Sequence, residues 1–118
     1  MGYRFLEHTA DVRVECRGKT FEQILESAAR ALYAVAFYEV QPRNDITRRV
    51  ALASEDPGDG YESILVQWLQ ELIFLMDVEK FVGTVFQFEA VKPRAVSAMV
   101  GGYHYLPDER EAEVKAAT

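Results

Sequence analysis

From Val12 to Arg17 the chain alternates strictly. Val12, Val14 and Cys16 fall on one side and Arg13, Glu15 and Arg17 on the other, the period of a strand with one buried face. Tyr3 to Leu6 predicts a shorter strand before it. Gly18-Lys19 turns the chain, and Thr20 with Gln23 three positions on forms a capping-box pattern at a helix start. The period then changes. Phe21, Ile24, Leu25, Ala28, Leu32 and Val35 make an apolar stripe at helical spacing, so this helix should lie on a sheet. It should end by Tyr38, because Pro42 and the polar run around it do not continue the stripe.

Ile46 to Ser54 reads as a strand, and the DPGDG run ending at Gly60 as a turn. That run lacks the alternating ligand spacing and distal glutamate of a calcium loop. Asp59 with Glu62 makes a second capping-box pattern. A second helix follows, with Tyr61, Ile64, Leu65, Trp68, Leu69, Leu72, Leu75 and Met76 as its core-facing set. Phe81 to Glu89 is rich in Phe, Val and Thr, Pro93-Arg94 breaks it, and Ala95 to Val100 returns as a partner strand. Gly101-Gly102 reads as a bulge or turn, and the segment from Tyr103 to Glu111 as a polar loop. Glu113 to Ala117 alternates again, with Val114 and Ala116 opposite Glu113 and Lys115. The order is β-β-α-β-α-β-β-β. It predicts an α+β, two-layer domain with both helices on one face of a mainly antiparallel sheet.

The 118 residues suit a single domain over 1–118, and 49% apolar with 12% aromatic residues supplies an ordinary core. No apolar stretch approaches the ~20 residues of a membrane span, and the N-terminus lacks the order of a signal peptide. A cytoplasmic protein is the economical reading. One cysteine, Cys16, excludes an intramolecular disulfide and a multi-thiolate zinc site, and its strand position predicts a small buried hydrophobe. The net charge of −6, from 19 acids against 13 bases, argues against binding nucleic acid through a broad basic surface. It suits a cation or a basic protein partner better.

Candidate chemistry is sparse. There is no phosphate-binding glycine loop and no serine nucleophile motif, and two histidines, His8 and His104, make a thin case for a metal. Two polar spots stand against strand patterns: Glu7, His8 and Asp11 in EHTADV, and the outward pair Glu113 and Lys115. By spacing alone, an aspartate at a strand start is more often a turn former than a ligand. An outward Glu-x-Lys pair is usually a solvated face.

The residues themselves go further than their spacing. EHTADV at 7–12, RGKTFEQILESAARAL at 17–32, the Trp68-Leu69 and Glu71-Leu72 pairs, and EVKAAT at 113–118 together resemble the archease family over essentially the whole chain. The resemblance implies a two-layer fold related to the strand-helix-strand-strand (SHS2) module. It implies a cytoplasmic, non-enzymatic accessory factor of the RtcB-type RNA ligase in tRNA splicing, which promotes guanylylation and multiple turnover. It also implies a divalent metal, Ca²⁺ by the family's habit, with Asp11 as the N-terminal ligand and His8 as a supporting group in the same signature. Lys115 matches a lysine of the family's functional surface, and Glu113 is its near neighbour. In the family the KAAT segment continues into a further hairpin whose end carries a second metal-binding aspartate. This chain stops at Thr118, so that aspartate has no expected counterpart here. Two other classes stay open from the residues: a metal-dependent phosphohydrolase using Asp11, and a small-molecule-binding regulatory module.

Overall fold

Among the described residues five strands pair into two antiparallel sheets, and two helices cover them. The computed structural model describes residues 2–6, 13–54 and 60–110. Strand β1 (Gly2–Leu6) pairs with β2 (Arg13–Arg17), with Gly2 opposite Arg17 and Leu6 opposite Arg13. Helix α1 (Phe21–Ala36) follows, then β3 (Ile46–Ala53), α2 (Gly60–Val78), β4 (Phe81–Lys92) and β5 (Ala95–His104). The second sheet has the order β3-β5-β4, so β5 is its centre and the β4–β5 hairpin its longest pairing. A single 3₁₀ turn, Pro107–Glu109, follows β5. No helix among the described residues is long and apolar enough to cross a membrane.

Thr20 caps α1 as its sequence implies: its Oγ1 accepts from the Gln23 N–H at 3.2 Å. The returning half of the box reaches one residue further back, where Gln23 Oε1 accepts from the Lys19 N–H at 2.8 Å rather than from Thr20. Asp59, offered as the cap of α2, lies outside the described residues. The core is shared by both helices and the three-stranded sheet: Leu25, Ala29 and Tyr33 of α1, Ile64, Trp68, Leu72 and Met76 of α2, and Phe81, Val82, Val100 and Tyr103 of the sheet. Trp68 is fully buried, and its indole N–H donates to the Leu25 carbonyl at 2.9 Å. Trp68 also packs against Phe86 and Phe88 of β4, which locks α1, α2 and the sheet at one point.

Three expectations need correction. Of the bulge or turn expected at Gly101-Gly102, the turn is wrong, since β5 runs through both residues to His104; the irregularity is there, but in the facing strand, where β4 shifts register between Gly83 and Val85. A Cβ on Gly102 would strike the Val82 carbonyl of β4, and one on Gly101 would strike the Asn44 side chain. The two glycines therefore permit close strand approach rather than chain reversal. The polar loop from Tyr103 is also mistaken at its start, because Tyr103 and Tyr105 are core residues while His104 between them is exposed. Cys16 is half-buried rather than fully buried. Burial still pushes its thiol above the ordinary value. The strand expected at 113–117 lies outside the described residues.

Candidate functional site

All four candidate site residues of the sequence, His8, Asp11, Glu113 and Lys115, lie outside the described residues. The positions flanking them are described, and their relation can be built up. The Leu6–Arg13 pair closes the strand ladder from which the 7–12 segment departs. From Arg17 the chain reverses through Gly18-Lys19-Thr20, and α1 runs back along the hairpin, packed on both β1 and β2. Ser27 Oγ donates to the Arg17 carbonyl at 3.2 Å, which sets the helix against the strand.

The other flank arrives at the C-terminal end of α1. Phe37, the residue that closes α1, forms an isolated antiparallel bridge with Arg110. Arg110 is the last described residue before the 111–118 segment, and it is firmly held. Its Nη1 donates to Asp77 Oδ1 at 2.7 Å and to the Tyr105 hydroxyl at 3.1 Å. The Tyr105 hydroxyl in turn donates to the Met76 carbonyl at 2.8 Å, and its ring packs edge-on against Phe37. Burial works against the Arg110 charge, but the hydrogen bonds and charge interactions of Asp77 and Tyr105 outweigh it and leave its pKa raised. It is a fixed cation on the C-terminus of α2, where exposed carbonyls favour one.

That helix end gathers further polar groups. Arg48 of β3 pairs with Glu79 at 2.6 Å and lies over the Phe81 ring. His104 Nδ1 is 2.8 Å from the Glu79 carbonyl; a carbonyl only accepts, so Nδ1 carries the proton. Lys80 turns the chain into β4 with a φ of 56°, and its ammonium donates to the Asp77 carbonyl at 2.7 Å. None of the last-turn residues of α2 is basic, so tertiary neighbours supply the compensation. Sequence reading passed over Arg110, Asp77 and Tyr105. The signal that could have found them is the period-two alternation carrying on through Tyr103, His104 and Tyr105.

Among the described residues no group of three or more His, Cys, Asp or Glu side chains is placed to hold a metal. The donors proposed for one belong to the undescribed segments. At the opposite end of the hairpin an open groove of about 540 Å³ runs between the starts of the two helices, walled by Phe21, Ile24, Tyr61 and Leu65. Phe21 and Tyr61 meet edge to face there at 4.5 Å. The groove is broad and solvent-open, unlike the enclosed cavity that small ligands favour.

The profile of the Archease protein family matches residues 3–118. Protein archease of Methanosarcina mazei is 35% identical over 122 residues, covering 98% of this chain and 81% of that protein. Protein archease of Archaeoglobus fulgidus is 33% identical over 120 residues, covering 100% and 85%. Among solved structures, the solution structure of Methanobacterium thermoautotrophicum protein 1598 superposes with a TM-score of 0.72. It is 31% identical, and the match covers 99% of this chain and 84% of that one.

Proposed function

The chain belongs to the archease family, and from that premise we propose that it is a metal-binding accessory factor that activates an RtcB-type RNA ligase. It acts in the cytoplasm in tRNA splicing, promoting ligase guanylylation and multiple turnover, and is not itself an enzyme. The observation that carries this reading is the family match over residues 3–118, which spans both motifs, EHTADV at 7–12 and EVKAAT at 113–118.

The donor chemistry of the motifs supports an oxygen-preferring cation. The Asp11 carboxylate is a hard ligand suited to Ca²⁺, whereas the His8 imidazole is a poor one and fits a supporting hydrogen bond. A Ca²⁺ ion takes about six to eight oxygens, so one aspartate would share it with backbone carbonyls, water or further carboxylates. Such an ion would supply fixed positive charge beside Asp11. Lys115 donates and does not coordinate, so its place is against a phosphate or a carboxylate of the partner. Glu113, two residues away on the same strand pattern, would share its face.

A ligase turnover assay with and without the protein tests the proposal. Cognate ligase alone should stall after about one round of joining, and the added protein should restore repeated rounds. Equal turnover in both reactions would overturn it.

A further inference from the structure

Strand β3 (Ile46–Ala53) ends the three-stranded sheet, and among the described residues no strand lies beyond it. The phase of its hydrogen bonds shows which groups that edge offers. The Ser54 N–H donates to the Arg94 carbonyl at 2.8 Å, in step with the Ala53–Ala95 pairing, so the even-numbered residues bond to β5. In an antiparallel ladder the residues between them turn both backbone groups away. These are Thr47, Arg49, Ala51 and Ala53, all exposed. The Thr47 carbonyl accordingly accepts from outside the ladder, from Arg48 Nη1 at 3.0 Å.

The two edges of the sheet are not alike. β4 shifts register between Gly83 and Val85 and again between Phe88 and Ala90, and Arg30 Nη2 of α1 donates to its Thr84 carbonyl at 3.3 Å. Bulges and covering side chains close an edge to further pairing. β3 has no bulge, glycine or proline. Its two cations are drawn to acids of their own chain, Arg48 to Glu79 at 2.6 Å and Arg49 to Glu89 at 3.6 Å.

We infer that this edge pairs with the same edge of a second copy, β3 running antiparallel to β3 about a two-fold axis at Val50. The strand fits itself in that register. Thr47 falls opposite the partner's Ala53 and Arg49 opposite the partner's Ala51, so each outward amide meets a carbonyl and each larger side chain faces an alanine. Moving the axis one residue back would set Arg49 against the partner's Arg49, like charge on like. Moving it one residue forward would carry Thr47 past the end of the partner strand.

Sedimentation velocity of the full chain over a rising concentration series tests this, with amide hydrogen exchange read residue by residue. A monomer–dimer equilibrium should appear. The Thr47, Arg49, Ala51 and Ala53 amides should become protected only as the dimer forms, while Val50 and Leu52 stay protected throughout. Ala51→Pro removes an outward N–H and none that β5 uses, so it should weaken dimerisation at least about tenfold with little change in melting temperature. Ala51→Glu should strengthen the dimer and Ala51→Lys weaken it, because each is set opposite the partner's Arg49. A monomer at every concentration would overturn the pairing. So would outward amides protected at the lowest concentration, which would give the edge to another segment of the same chain. Equal association of the glutamate and lysine variants would overturn the register, and undiminished association of a well-folded Ala51→Pro would put the dimer elsewhere.

Discussion

The indole N–H of Trp68 donates to the backbone carbonyl of Leu25 at 2.9 Å, joining the middle of α2 to the first turns of α1. Both residues are fully buried, and the Trp68 ring also meets Phe86 and Phe88. Trp68→Phe deletes the donor and leaves a small void, so it should cost about 2–4 kcal/mol. Urea unfolding followed by circular dichroism should show a lower midpoint with an unchanged slope. A midpoint shift under ~0.5 kcal/mol would mean that the contact is not part of the core.

Tyr33 is equally buried, and its hydroxyl makes no hydrogen bond of full geometry among the described residues; the Gly83 backbone N–H is its nearest polar help. Tyr33→Phe should therefore change stability by less than ~1 kcal/mol, and toward greater stability. Burial raises the phenol pKa above its ordinary value of 10.0, with the Gly83 N–H partly opposing. The folded state then holds this proton more tightly than the unfolded state. That contribution is complete below pH ~10 and is lost as pH rises through the folded value, because unfolding releases the proton. The wild type should lose stability above pH ~10 faster than Tyr33→Phe, and parallel curves would show that the hydroxyl is solvated.

Two adjacent glycines should differ sharply. At Gly102 an added Cβ meets the Val82 carbonyl, which is backbone held in the β4–β5 ladder. At Gly101 it meets the end of Asn44, a side chain that can swing away. Gly102→Ala should cost more than about 3 kcal/mol and Gly101→Ala about 1 kcal/mol. Thermal melts of the two variants side by side decide it, and equal costs would contradict the packing.

Asp11 separates the metal reading from the turn reading. As a ligand, it should make the melting temperature rise in calcium relative to chelator, by up to ~2.7 kcal/mol of stability at a hundredfold excess over Kd. Asp11→Ala should abolish that rise and cost little in chelator. As a turn or cap residue it should instead cost ~1 kcal/mol in both conditions. Equal losses would decide for the turn.

Lys115 is expected to serve the partner and not the fold. Lys115→Ala should leave stability within about 0.5 kcal/mol, as exposed substitutions do, while lowering stimulation of ligase turnover. A large loss of stability with undiminished stimulation would make it structural.

The local features were legible from residue order alone. The stripe from Phe21 through Leu25 and Ala28, the Thr20–Gln23 cap, the run from Ile64 to Met76 and the Pro93-Arg94 turn each depend on neighbours within a few positions. So do the β4–β5 hairpin and the α+β class that follows from these elements. The resemblance that located the family also resided in short words, EHTADV and EVKAAT. What residue order left open depends on partners far along the chain. Gly101-Gly102 looks like a turn until Val82 and Asn44 are brought against it, and Tyr105 looks like loop until Met76 accepts its hydroxyl. The division into two sheets, the bridge from Phe37 to Arg110 and the exposure of Phe74 and Val78 on α2 are of the same kind. Periodicity reports which side of an element is apolar; only the packed chain decides which apolar side finds a cover, because burial is a property of pairs of surfaces and not of either one.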